Sequence, residues 1–241
     1  PFLPNELLQE KNLDYIRDSV KAQHIWGGGY EQIAEGAYYG RDVVQAENEN
    51  RITRVPYDRE AKVQAAWDLG VGDATAIVVF QRVALEWHFL AYYESSGQPL
   101  SHYVDWINSL PYKIEIHHLP HDARQRELQT GKSRLDFFME RGLQTAVVPN
   151  HTVDDGIHAV RMAMPKMWID AECCERLVEC LRSYRTEFDM KLNTLKAQPR
   201  HDEFSHGADA MRYAVMGAAA NADTGRSDWS KPISRVTGGI A

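Results

Sequence analysis

Cysteine is scarce in this chain, and its placement argues against a disulfide framework. The three cysteines, Cys173, Cys174 and Cys180, fall in one stretch predicted to be an amphipathic helix, Ala171–Tyr184, which suits a reducing compartment. Long apolar runs are lacking too. None reaches the ~18 residues a membrane span needs, and the opening Pro1-Phe2-Leu3-Pro4-Asn5-Glu6 has no secretory signature. Internal repeats and low-complexity segments are absent from the sequence. Positive charge is in short supply: 27 Lys and Arg against 34 Asp and Glu leave a net charge of −7. That balance excludes a broadly basic, nucleic-acid-gripping surface but leaves room for a locally basic cleft. A complete phosphate-binding loop is missing as well. Gly131-Lys132-Ser133 ends like one, but Arg126 stands where its first glycine belongs, and no strand leads into it. ATP binding at this segment is not expected.

What remains is ordinary for a globular chain with a real core: 44% hydrophobic and 25% charged residues over 241 positions, enough for one domain with appendages. The first residue is proline, and the expectation is a fragment of something longer. Residues 1–60 read as a linker or partial subdomain. It has a helix over 5–21, three glycines in Ile25-Trp26-Gly27-Gly28-Gly29-Tyr30, a helical Glu35–Tyr39, a polar stretch at 45–50 and a short strand at 51–55. From residue 61 to 220 the pattern is mixed α/β. Val63–Leu69, Ala74–Gln81 and Val83–Tyr93 read as three consecutive strands, the first two joined by Gly70-Val71-Gly72-Asp73. A helix follows Pro99, then a strand ending at Asp122, a helix capped by Ser133, a short strand at Gln144–Val148, and a helix begun by Thr152 and stopped by Pro165. Thr186–Ala197 alternates weakly, as a hairpin does, and Ser205–Met216 is the last helix. Residues 221–241 are small and polar, a flexible C-terminal tail. The order is that of an α/β, ribonuclease H-like fold: a mixed central sheet, three antiparallel strands then parallel ones, flanked by helices.

Three aspartates carry the chemistry. Asp68 closes the first strand, Asp122 closes Ile114–Asp122, and Asp209 starts the last helix. Far apart in the chain, they meet only through tertiary structure. In such a sheet the first strand is central and the strand after the first helix pairs beside it in parallel. Asp68 and Asp122 then become neighbours at a topological switch point. A helix packed on the sheet presents Asp209 on the same face as Arg212 and Tyr213. Crowded carboxylates repel and need a cation, and an all-oxygen set selects Mg²⁺ or Mn²⁺. Such a cluster points to metal-assisted phosphodiester cleavage, with two ions and Asp68 as the bridging ligand. Singly, each aspartate reads equally well as a turn former or a helix-start residue; the inference rests on the three together.

Three segments go further: Trp67-Asp68-Leu69-Gly70-Val71-Gly72-Asp73-Ala74-Thr75-Ala76, His121-Asp122-Ala123, and Ser205-His206-Gly207-Ala208-Asp209-Ala210-Met211-Arg212-Tyr213. They resemble the nuclease domain of tailed-bacteriophage terminase large subunits, part of the DNA-packaging motor. Trp26–Tyr30 and Glu35–Tyr39 resemble the stretch joining that family's ATPase domain to its nuclease. The likeness runs over residues 24–216. It implies an endonuclease that cuts concatemeric double-stranded viral DNA when packaging starts and ends, with Asp68, Asp122 and Asp209 as catalytic metal ligands. It further implies the terminase small subunit and the capsid portal protein as partners, an ATPase domain on the N-terminal side, and the cytoplasm of an infected bacterium as the setting. The chain departs from the complete family pattern in lacking the ATPase motif.

Other residues have weaker claims. Asp73 can reach the site through water, and Asp202 and His206 flank Asp209. His206 reads as a carboxylate-orienting or proton-transferring group, or equally as a cap or core residue. Arg124, Arg126, Lys132 and Arg134 are candidates for the DNA backbone or for a solvated loop. His117, His118 and His121 suggest zinc, but adjacent strand residues face opposite ways and cannot all converge. No nucleophile elbow accompanies any Ser-His-Asp set. Two rival readings stand: a junction resolvase or transposase-like nuclease of the same fold, and a non-catalytic module that docks on the portal or small subunit.

Overall fold

The computed structural model describes residues 5–17, 36–70, 73–126, 131–189 and 194–223. The expected glycine hinge at 25–30, the centre of the turn after Asp68, and residues 224–241 of the expected tail lie outside the described residues.

Alternating apolar side chains build a seven-stranded sheet. Its strands are β1 (Ile52–Thr53), β2 (Val63–Asp68), β3 (Ala74–Val83), β4 (Glu86–Ser96), β5 (Ile116–Leu119), β6 (Thr145–Val147) and β7 (Met167–Asp170), in the order β1-β7-β4-β3-β2-β5-β6. The β2–β3 and β3–β4 pairs are antiparallel; β2–β5, β5–β6, β4–β7 and β1–β7 are parallel. This is the mixed sheet of a ribonuclease H-like fold, with β2 near its centre. Strand alternation divides the core in two. Ala66, Val78, Phe80 and Phe89 face one layer of helices, and Ala65, Trp67, Ile77 and Val79 face the other.

The first layer comprises α2 (Gly40–Asn48), α5 (Val153–Ala163), α6 (Glu175–Ser183) and α7 (Ser205–Asp223), which contribute Val43, Val160, Leu177 and Met211. The second comprises α3 (Leu100–Ser109) and α4 (Arg134–Glu140), which contribute Tyr103, Ile107 and Phe138. A further helix, α1, spans Asn5–Arg17, and β8 (Thr186–Asp189) pairs with β9 (Thr194–Pro199) as a separate antiparallel hairpin. Among the described residues no helix is long and apolar enough to cross a membrane.

The expected caps are present. Ser133 and Asp136 form a reciprocal capping box on α4, and Thr152 Oγ1 accepts the Asp155 N–H at the start of α5. Several boundaries differ from expectation. Glu35–Tyr39 was expected to be helical, yet from 36 on it is not: Gly36 has φ 77°, Ala37 bridges to Arg185, and the Tyr38 N–H donates to the Tyr184 carbonyl. The helix lies later, Gly40–Asn48, across the stretch expected to be a polar connection. Its inward face, Val43, Val44 and Ala46, is buried. The second and third strands meet at a turn whose Ala84 takes φ 52°, so β4 begins at Glu86 rather than Val83, and it runs to Ser96 rather than Tyr93. Residues 171–174 are a turn, and only Cys180 of the three cysteines lies in α6. Strand β7 was not foreseen. Its four residues follow α5 with only the Met164–Lys166 turn between, too short a run for periodicity to resolve.

Candidate active site

Asp68 ends β2, where β3 pairs antiparallel on one side and β5 parallel on the other. Asp122, expected to close a strand, is not part of one. Pro120 cannot donate to the ladder, β5 stops at Leu119, and Asp122 sits in a 3₁₀ turn, His121–Arg124. Asp209 lies just past the first turn of α7, which runs on to Asp223, beyond the expected Met216. Glycines let α7 approach both the sheet and α6 closely. A Cβ on Gly217 would fall 2.5 Å from His118 Nδ1, and one on Gly207 would fall 2.7 Å from Cys180 Cβ.

The charges of all three acids are felt by one phenol, that of Tyr213. Burial pushes the Tyr213 hydroxyl pKa up, and the charges of Asp68, Asp209 and Asp122 push it further. Burial also raises the Asp68 carboxyl to about 6, with the Asp209 charge adding to it while the His206 hydrogen bond and Arg212 draw it down. Asp209 is held by Arg212, whose Nη2 and Nε donate to Oδ1 at 2.6 and 3.1 Å, leaving Oδ2 to take another partner. Asp122 Oδ1 is buried with no hydrogen-bond partner. A buried carboxylate oxygen is costly to leave without a partner.

His206 ties this set to a second one. Its Nδ1 lies 3.1 Å from Asp68 Oδ2 and its Nε2 lies 3.1 Å from Asp73 Oδ1. Both contacts are satisfied only when both ring nitrogens carry protons, and the Asp68 hydrogen bond raises the pKa of the ring accordingly. Asp73 also accepts from His201 Nε2 at 2.9 Å. Asp73, His201 and His206 are the group whose ligand atoms all lie within 4.8 Å of one another among the described residues; the three aspartates are more open.

The remaining candidates separate. Arg134 does not extend into solvent: its Nη1 donates to the Leu69 carbonyl at 2.8 Å, bracing the turn that follows Asp68. Lys132 pairs with Glu140 at 2.6 Å, and Arg124 and Arg126 are exposed. His117 and His118 are core residues. His117 Nδ1 accepts from Trp67 Nε1 at 3.2 Å, and His118 Nε2 donates to Gln64 Oε1 at 2.7 Å. Asp202 accepts the Phe204 N–H at 3.0 Å in the turn leading into α7. His201 was missed because it sits in an aperiodic segment before α7, where nothing local indicates its long-range partner, and Arg134, expected to face DNA or solvent, instead braces the Leu69 carbonyl.

No family model and no curated protein matches the chain. Solved structures do. The P22 large terminase nuclease domain superposes with a TM-score of 0.55 at 18% identity, covering 71% of this chain and 89% of that one. The fold is that of a large terminase nuclease domain. The corresponding domain of bacteriophage SPP1, solved with bound Mn, gives a TM-score of 0.51 at 15% identity over 65% of this chain and 86% of that one. The large terminase of the thermophilic bacteriophage D6E gives 0.53 at 18% identity over 69% of this chain. The chain spans about two fifths, 42%, of that longer terminase. In this fold Asp68 ends β2, Asp122 lies in the 3₁₀ turn after β5, and Asp209 lies near the start of α7.

Proposed function

We propose that this chain is the nuclease part of a phage large terminase: a divalent-metal-dependent endonuclease that cuts concatemeric double-stranded DNA as genome packaging begins and ends. What supports the reading is that the charges of Asp68, Asp122 and Asp209 all act on Tyr213 and that a buried oxygen of Asp122 has no hydrogen-bond partner. The donor set fits hard ions. Asp68, Asp122 and Asp209 would hold the Mg²⁺ or Mn²⁺ ions, two in the proposed chemistry. When bound, such ions stabilise charge on the phosphate and make water more acidic. The SPP1 neighbour, solved with Mn, fits this assignment.

The chain's own residues prepare the site. His206 Nδ1–H orients Asp68, Arg212 fixes one oxygen of Asp209, and Arg134 holds the turn beyond Asp68. Exposed Arg124 and Arg126, beside Asp122, are placed to meet a DNA backbone, which is how an acidic protein can have a locally basic cleft. The small subunit, the portal and an ATPase domain on the N-terminal side complete the proposed assembly. Plasmid cleavage with Mg²⁺ or Mn²⁺, against EDTA, tests the reading. Asp68→Ala should lose more than the roughly 10–100-fold that an outer-shell partner costs. Full cleavage by a folded Asp68→Ala protein, or cleavage that persists in EDTA, would reject the site.

A further inference from the structure

We infer that His151 is a positioning residue for the acid cluster and acts through Arg212. Its buried Nε2 is the acceptor that the Arg212 guanidinium takes when a divalent ion occupies Asp68, Asp122 and Asp209, so the inference rests on the reading of those aspartates as a metal site. The chain leaves β6 at the end of the sheet where β5 gives way to the Asp122 turn. The Val148 N–H, donating to the Leu119 carbonyl at 2.9 Å, ties the two exits together. His151 follows, immediately before the Thr152 cap of α5. Its ring meets that of Tyr213 edge-on, with centroids 6.0 Å apart.

One contact fixes the tautomer of the neutral ring. Nδ1 lies 2.9 Å from the Pro149 carbonyl, which can only accept, so Nδ1 carries the proton and Nε2 presents a lone pair. That Nε2 is buried and has no hydrogen-bond partner. A buried acceptor is costly to leave unpaired, and a ring that served only as packing against Tyr213 would need no nitrogen at that corner. A donor stands close by. A Cβ built on Gly156 of α5 would fall 3.0 Å from Arg212 Cδ and 3.2 Å from His151 Nε2, so this glycine leaves the two side chains next to each other. Arg212 donates to Asp209 Oδ1 through Nε and Nη2, and its Nη1 end makes no such bond to Asp209. With an ion on the aspartates, the guanidinium is repelled and competes for the Asp209 carboxylate. By donating to His151 Nε2 as its hold on Oδ1 loosens, Arg212 stays beside Asp209 and its buried charge keeps a partner.

The test is Mg²⁺ binding by the whole chain at about pH 8, where imidazole is neutral, read by calorimetry and nitrogen NMR without any cleavage assay. In the parent protein, Mg²⁺ saturation should move the His151 Nε2 resonance in the direction of hydrogen-bond acceptance. A resonance that stays put overturns the proposal. His151→Asn keeps a donor for the Pro149 carbonyl but loses the Nε2 acceptor. It should weaken Mg²⁺ binding about tenfold, the lower end of what an outer-shell partner costs. His151→Gln, which places an acceptor where Nε2 stood, should restore most of that affinity. In an Arg212→Met background, His151→Asn should weaken binding no further. Parent-like binding by His151→Asn, or an equal loss in the Arg212→Met background, overturns the proposal and leaves the three-aspartate site standing. No Mg²⁺ binding by the parent protein overturns both.

Discussion

Arg212 is the residue on which the acid cluster most depends for its geometry. Its guanidinium is 5% exposed and pairs with Asp209 next to Asp68 and Tyr213. Removing one partner of a buried pair leaves an uncompensated charge. Arg212→Met should cost roughly 2–4 kcal/mol in urea unfolding, with Arg212→Met/Asp209→Asn recovering part of the loss. Equal stability of Arg212→Met and the parent protein would show that the pair is immaterial. At this scale the positions of Asp68 at a strand end and Asp209 near a helix start were legible in the sequence, since flanking apolar periodicity marks both. Arg134 was not legible in its actual role. A basic residue in a charged segment carries no sign that it will cap the Leu69 carbonyl, because that contact depends on where α4 comes to rest.

Helix α7 shows how an element positions chemistry. Its buried face is small, with Ala208, Ala210, Met211, Ala214 and Ala218, and Gly207 and Gly217 meet side chains at distances where no Cβ fits. Gly217→Ala would drive a methyl into the ring of His118, a buried side chain with nowhere to move. The expected penalty is about 1–3 kcal/mol in thermal unfolding, with cleavage lowered because α7 carries Asp209 away from β2. On the opposite face Trp67, fully buried, packs edge-on against Phe138 at 4.8 Å between centroids. Trp67→Ala should cost about 3–5 kcal/mol. Unchanged denaturation midpoints would contradict both expectations. Caps at Ser133 and Thr152 were readable because capping depends on residues three apart. The helix at Gly40–Asn48 was not, because its apolar face is short and gains meaning only against Leu177 and Leu181.

For the whole molecule, the buried histidines set the acid limit of stability. Burial lowers the pKa of His117 to about 4, and burial together with the His117 charge lowers that of His118 to about 4. Above pH 6.5 both the folded and the unfolded chain hold these rings neutral, so their contribution is constant. Below it the unfolded chain binds protons that the fold refuses. Stability then falls as pH drops from about 6.5 toward 4, by up to about 1.4 kcal/mol per pH unit for each ring. Urea midpoints at pH 7.5 and 5 measure the slope, and His118→Gln should flatten it. Asp68 and His206, whose pKa values are raised, act in the opposite direction over this range, so the deciding comparison is with the variant: an unchanged slope in His118→Gln would show that this ring is not buried neutral.

Local sequence determined most of the elements and the caps at Ser133 and Thr152, because apolar period and capping chemistry act over a few neighbours. Tertiary structure decided the rest. It added β7 beside β4, placed α7 across the sheet, and brought His206 between Asp68 and Asp73. Those are contacts across long stretches of chain, and only burial of the two faces of one sheet selects them.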